Sequence, residues 1–234
     1  MNPSLEQARL APQHAERLHK FAHDLRNRLA GLHQALKHVT ESDEAGKIEL
    51  IEYGEQQFFK ALREVEGLLD DLGVERGEQN FEAVPVQLSE IVQHEAENLN
   101  FRFAAKGQEL HLELDRSIEV QGDSRLIASS VAALLSNASK FSPQGTPIRV
   151  KLERKKDQAE LCVIDQGVGL TEEDLKDIFV RYAWLGSRTT NGEAQGRSTL
   201  ARADQWAKGM GGSLDACSNG AGKGCAFTLR LPLA

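Results

Sequence analysis

The stretch Glu160-Leu161-Cys162-Val163-Ile164-Asp165-Gln166-Gly167-Val168-Gly169-Leu170 runs from an apolar strand into a glycine-bearing turn. The strand ends on a carboxylate, and two glycines spaced by one residue follow it. That arrangement suits purine recognition. Asp165 can accept the exocyclic amine of adenine, and Gly167 and Gly169 let backbone approach a ring with no Cβ in the way. Alone, the pattern occurs in many turns, so its surroundings decide how it is read.

Upstream, the spacing predicts a helix over Ser124–Ser139 with Ile127, Val131, Leu134, Leu135 and Ala138 on its apolar side. Asn137 and Lys140 are three apart and share another face. An amide oxygen can coordinate Mg²⁺, and an ammonium can neutralise phosphate oxygens; a solvated helix end carries the same residue types. Strands are expected at Ile148–Glu153 and Glu160–Ile164, joined by the charged turn Arg154–Asp157. A helical pattern covers Leu88–Ala105. A last hairpin is expected through Ser213–Ser218 and Cys225–Leu231, around the glycine-rich turn Asn219–Gly224. Together these elements make an α+β sandwich, with helices on one face of a mixed or antiparallel sheet.

The first third has a different texture. Leu18, Leu25, Leu32 and Val39 recur every seven residues, and Ala22, Leu29 and Leu36 widen the stripe. Ser42 or Asp43 is the expected N-cap of a second helix. That helix carries Ile48, Ile51, Phe58, Leu62, Val65, Leu69 and Leu72, with Glu55 in the vacant position. Two such helices form an antiparallel hairpin with too little core to stand alone. Two hairpins from two chains would close a four-helix bundle, so a homodimer is expected; packing of the hairpin on its own second domain is the alternative. The polar linker Gly73–Asn80 separates a helical domain, 1–75, from a second domain, 80–234.

His23 lies outside the apolar stripe and should face water, with Asp24 beside it and Asn27 one turn on. An exposed imidazole can act as a nucleophile, and a neighbouring carboxylate can orient it and take its proton. His19 and His23 also have the spacing of a metal pair, but nothing nearby completes that set.

The box His23-Asp24-Leu25-Arg26-Asn27-Arg28-Leu29 resembles the phosphoacceptor site of two-component sensor histidine kinases. The order that follows strengthens the resemblance: the Asn137 helix, a hairpin, D-x-G-x-G, Ile178-Phe179, a flexible glycine-bearing stretch and a closing hairpin. The chain is similar over about Leu18 to Pro232 to a complete kinase core, a dimerisation and histidine phosphotransfer hairpin followed by a GHKL-type ATP-binding domain. The resemblance implies ATP and Mg²⁺ as ligands, with Asn137 on the metal. It places Asn137, Lys140, Asp165, Gly167, Gly169, Phe179, Gly196 and Leu200 around the nucleotide. It implies autophosphorylation of His23 with Asp24, transfer to an Asp of a response regulator receiver domain, and phosphatase activity using Asp24 and Asn27.

Several residues depart from the family pattern. Arg28 stands where many members have a helix-bending proline. Of the second glycine box only Gly196 survives, in Gln195-Gly196-Arg197-Ser198-Thr199-Leu200, and Arg197, Ser198 and Thr199 could crowd a phosphate loop or donate to it. Ala133 replaces a frequent Asn, and Met210 a frequent His before Gly211-Gly212. Gly186–Gly196 is the expected ATP lid. A weakened glycine box leaves a second reading, a phosphotransfer protein or phosphatase with a weak or non-functional ATP site, and a scaffold is a third.

The 234 residues carry a net charge of −7, with 40% hydrophobic and 27% charged residues. That balance argues against nucleic acid as a partner. No apolar run is long enough to cross a bilayer and no secretory leader is evident, so a cytoplasmic protein without membrane insertion is expected. A membrane signal would arrive through a separate sensor or input protein. Cys162, Cys217 and Cys225 read as reduced thiols, with Cys217 and Cys225 facing across the last hairpin as the less favoured option.

Overall fold

The computed structural model describes residues 11–39, 42–71, 82–181, 190 and 198–234. The chain divides into two units, Met1–Gln79 and Asn80–Ala234. In the first, α1 (Ala11–Val39) and α2 (Glu44–Asp71) form the expected helical pair. Asp43 is the N-cap: its Oδ1 accepts from Gly46 N at 2.9 Å, and its carbonyl takes the first helical bond from Lys47 N. Ser42 instead donates back to the His38 carbonyl.

The two helices meet through small residues. Ala35 and Ala61 are buried. A Cβ on Gly54 would lie 3.2 Å from Leu32 Cδ1, and one on Gly31 3.1 Å from Tyr53 Oη. Beside this seam Arg28 Nε donates to Glu64 Oε1 at 2.7 Å. The heptad stripe is divided. Leu25, Leu32, Val39, Leu62 and Val65 are half-buried, whereas Leu18, Leu29, Ile51 and Phe58 are exposed, as are Leu36 at 63% and Ile48 at 61%. The hairpin therefore uses only part of its apolar stripe on itself.

The second unit is an α+β fold with a mixed five-stranded sheet of order β2-β4-β5-β7-β6. Its strands are β2 (Leu110–Leu114), β4 (Ile148–Lys155), β5 (Gln158–Ile164), β6 (Ser213–Cys217) and β7 (Ala226–Pro232). The β2–β4 pair is parallel and the other pairs are antiparallel. Alternation in β4, β5 and β7 sends Val150, Leu152, Leu161, Val163, Phe227, Leu229 and Leu231 into one core. Helix α5 (Ser124–Phe141) covers that core with Ile127, Val131, Leu134, Leu135 and Ala138, all buried. Its N-cap is Asp123, whose carboxylate accepts from Arg125 N; the hydrogen bonds from Arg125 hold that carboxyl below the usual range.

Four local readings need correction. The helix expected over Leu88–Ala105 is two helices, α3 (Leu88–Asn98) and α4 (Asn100–Ala105), parted at Leu99. The strands β1 (Val84–Gln87) and β3 (Glu119–Gly122) form a separate antiparallel pair that local pattern did not reveal, and β2 was missed as well. The β4–β5 turn is only Lys156-Asp157, with Lys156 at φ 55°. Cys217 pairs with Ala226, so Cys225 is out of register with it, and all three thiols are free. Among the described residues no helix is long and apolar enough to cross a membrane.

Candidate functional site

In the first unit, the His23 side chain is 62% exposed on α1. Its Nδ1 lies 3.4 Å from Asp24 Oδ1, and Asn27 Nδ2 lies 3.2 Å from the same nitrogen. Both neighbours converge on Nδ1. Nε2 has no hydrogen-bond partner among the described residues. When Nδ1 carries the proton toward Asp24, Nε2 holds a free lone pair in solvent, which is the state a nucleophile needs. Asn27 competes for the same position, since its amide donor favours the opposite tautomer.

In the second unit, the structure brings together the Asn137 helix and the Asp165 turn. The C-terminus of α5 meets the Asp165–Gly169 turn: Val168 N donates to the Phe141 carbonyl at 3.1 Å. Asn137 and Lys140, near that end, are half-buried. Asp165 is 6% exposed. Its Oδ1 accepts from Gly167 N at 2.8 Å and from Cys225 N at 3.2 Å. Its Oδ2 is left without a partner among the described residues. Burial pushes the carboxyl up to about 6, against the pull of those two backbone donors. Cys225, just before β7, feels it too: burial first, then the Asp165 charge, pushes its thiol up to about 12.

The glycines have a use that sequence alone did not show. Gly169 sits at φ +67°, and a Cβ there would run into the Gly220 carbonyl. A Cβ on Gly167 would run into the Phe141 carbonyl, and one on Gly224 into the Asp165 carbonyl. The turn is packed backbone against backbone, onto α5 on one side and onto 218–224 on the other. Gly222 N donates to the Val168 carbonyl, Gly224 N to that of Gly167, and Leu170 N to Ser218 Oγ. Ser218 and Gly224, which the sequence reading passed over, thus complete the support of Asp165.

Other expected site residues fall elsewhere. Phe179 and Leu200 are partly buried and pack against the hydrophobic core. Gly196 and almost all of the expected lid, Gly186–Gly196, lie outside the described residues; Thr190 is the exception. After α6 (Glu172–Asp177), Ser198 precedes α7 (Thr199–Gly209) without a side-chain cap bond. Gly211, at φ +75°, lets α7 end, and Gly212 passes where a Cβ would meet the Arg230 carbonyl.

A nucleotide fits this donor set. The open oxygen of Asp165 is an acceptor for an amine, and Asn137 offers an amide oxygen. Among the described residues there is no group of three or more His, Cys, Asp or Glu side chains that could hold a metal. A Mg²⁺ ion here would therefore rely on phosphate oxygens and water beside Asn137.

Residues 122–234 match the family described as histidine kinase-, DNA gyrase B-, and HSP90-like ATPase. Over 224 residues, 92% of the chain, it is 31% identical to the sensor protein KdpD of Clostridium acetobutylicum, covering 24% of that protein. The chain is related to the sensor histidine kinases, with their ATPase domain over residues 122–234. It is also similar in structure to a mycobacterial sensor histidine kinase MprB, with TM-score 0.57, 26% identity and 64% of this chain matched to 98% of that one. It shares its fold, at TM-score 0.58 and 20% identity, with full-length ShkA in complex with AMPPNP, covering 95% of this chain and 46% of that one. It spans less than a third of the length of the first curated relatives it matches.

Proposed function

We propose that this sensor histidine kinase relative phosphorylates itself on His23 with MgATP as donor and passes the phosphoryl group to an aspartate of a response regulator. The observation that carries the proposal is the exposed His23 imidazole, with Asp24 and Asn27 on Nδ1 and Nε2 open, in a chain that also holds an ATPase-family fold. Asp165 would accept the adenine amine on Oδ2. Asn137 would help hold Mg²⁺, and Lys140 would face the phosphates. Nε2 of His23 would attack the γ-phosphorus as the bond to the β-bridging oxygen breaks, with Asp24 taking up the Nδ1 proton. The protein's contribution is then mainly positioning and charge neutralisation. In a separate hydrolytic reaction, Asp24 and Asn27 would steady a water that attacks the phosphoryl group of the phosphorylated partner and releases inorganic phosphate.

A homodimeric four-helix bundle is part of the proposal. The exposed side chains Leu18, Leu29, Leu36, Ile48, Ile51 and Phe58 support it. Each such side chain that a second hairpin covered fully would contribute about 1.5–3 kcal/mol. The complex of ShkA with AMPPNP supports ATP as the ligand.

The test is incubation with γ-labelled ATP and Mg²⁺, wild type beside His23→Gln and Asn137→Ala. Acid-labile label on the wild type, absent from both variants, is expected. No label and no nucleotide binding by folded protein would overturn the kinase reading and leave a phosphotransfer or phosphatase role for His23, Asp24 and Asn27.

A further inference from the structure

The C-terminus of α5 is a hub of carbonyl groups with an unusual occupant. Lys106, in the turn between α4 and β2, is only 6% exposed. Its Nζ donates to the carbonyls of Ser139 at 2.8 Å, Lys140 at 3.3 Å and Ser142 at 3.3 Å. These are groups that a helix end leaves without intrahelical partners, and a cation there also complements the helix dipole. Gln108 braces the same end from the next residue but one. Its Nε2 donates to the Ser139, Ser142 and Pro143 carbonyls, and its Oε1 accepts from Ser139 Oγ.

The fourth acceptor of Lys106 is more telling. Nζ donates to Thr190 Oγ1 at 2.8 Å. The Thr190 hydroxyl lies 2.9 Å from the Ser142 carbonyl and 3.1 Å from that of Lys140, and Thr190 N donates to the Lys140 carbonyl at 3.1 Å. Thr190 is 50 residues along the chain from Lys140. The adjacent Phe141 carbonyl takes Val168 N from the Asp165 turn. One helix end therefore gathers Lys106, Thr190 and the Asp165 turn within one turn of Lys140.

We propose that Lys106 and Thr190 are positioning residues for the nucleotide: the buried ammonium and the hydroxyl it holds lock the last turn of α5, and with it Asn137, Lys140 and the Asp165 turn, in the binding geometry. This rests on the nucleotide site proposed above. Neither side chain needs to touch the ligand. A lysine is used because three carbonyls and a hydroxyl converge on one point, and a compact ammonium with a flexible stem can serve such a point. The Thr190 hydroxyl has one proton to give, so it accepts from Lys106 while donating to one of the two carbonyls. Removing it breaks the relay without removing the helix cap.

The test compares Thr190→Val, Thr190→Ser and Lys106→Met with wild type in the full chain. Binding of AMPPNP with Mg²⁺ is measured per folded molecule, and urea unfolding is measured without nucleotide. Thr190→Val is expected to weaken AMPPNP binding per folded molecule about tenfold, with only the modest fall in unfolding midpoint that one lost hydrogen-bonding group brings. Thr190→Ser, which keeps the hydroxyl, should bind as wild type does. Lys106→Met should lose both affinity and stability. Equal affinity of Thr190→Val and wild type would overturn the positioning role. So would a Lys106→Met deficit that vanishes once the folded fraction is counted. A wild type that binds no AMPPNP would overturn the nucleotide reading, and this inference with it.

Discussion

Replacing Asp165 by Asn should stabilise the second unit and destroy its nucleotide site. Burial raises the Asp165 carboxyl from its ordinary value near 3.8 to about 6. The fold thus favours the protonated acid, and that stability is fully present below the unfolded value and lost as pH rises through the folded one. About two pKa units correspond to about 3 kcal/mol at pH 7.5, where the buried group must carry charge, and to only about 1 kcal/mol near pH 4.5. Asn carries no such penalty. The gain for Asp165→Asn should therefore shrink by about 2 kcal/mol between those two pH values. Urea unfolding followed by tryptophan fluorescence reads this directly, since Trp184 and Trp206 both belong to the second unit. The binding loss follows from the same hydrogen bonds. Gly167 N and Cys225 N hold Oδ1, so the amide of Asn would take the place of Oδ2 and point a donor at the donor amine of adenine. A variant no more stable than wild type, or one whose gain ignores pH, would refute the desolvated carboxylate. A variant that still binds AMPPNP as wild type does would refute the role of Oδ2.

Two further outcomes follow from the packing. Gly169→Ala should cost roughly 2–4 kcal/mol in urea unfolding, combining a strained backbone with displacement of 218–224, because Gly169 sits at φ +67° against the Gly220 carbonyl; an unfolding midpoint equal to wild type would show that the turn yields freely. Leu36→Glu combined with Ile48→Glu should halve the mass seen by sedimentation and lower the helix content, since both side chains are exposed within a single chain and the hairpin has too little core to stand alone; an unaltered sedimentation profile would remove this face from any dimer interface.

Local pattern exposed much of the fold because much of it depends on near neighbours. The α1–α2 pair follows from the heptad spacing of Leu18, Leu25, Leu32 and Val39 and from the Asp43 cap. The core face of α5 follows from Ile127, Val131, Leu134, Leu135 and Ala138. The β4–β5 and β6–β7 hairpins follow from alternation bounded by turn residues. Other elements leave little trace in their own residues. Val84–Gln87 and Glu119–Gly122 are four residues each, and they are strands because each pairs with the other across the chain. The break at Leu99 did leave a local trace, since Asn98 and Asn100 on either side are poor helix formers.

Which residues could do chemistry was legible in the chain's local pattern: His23 and Asn27 on one helix face with Asp24 next to His23, Asn137 and Lys140 on another, and Asp165 at a strand end. Those readings need only periodicity and side-chain chemistry, which travel with the residue. Their state came from long-range packing. It desolvated Asp165 and tied up one of its two oxygens, because the donors come from Gly167 and from Cys225, sixty residues away. It gave Gly167 and Gly169 carbonyls to clear, buried Lys106 among carbonyls from a distant helix, and left Leu36 and Ile48 uncovered. Burial and long-range hydrogen bonds depend on what the folded chain brings alongside, and no window of neighbouring residues contains that information.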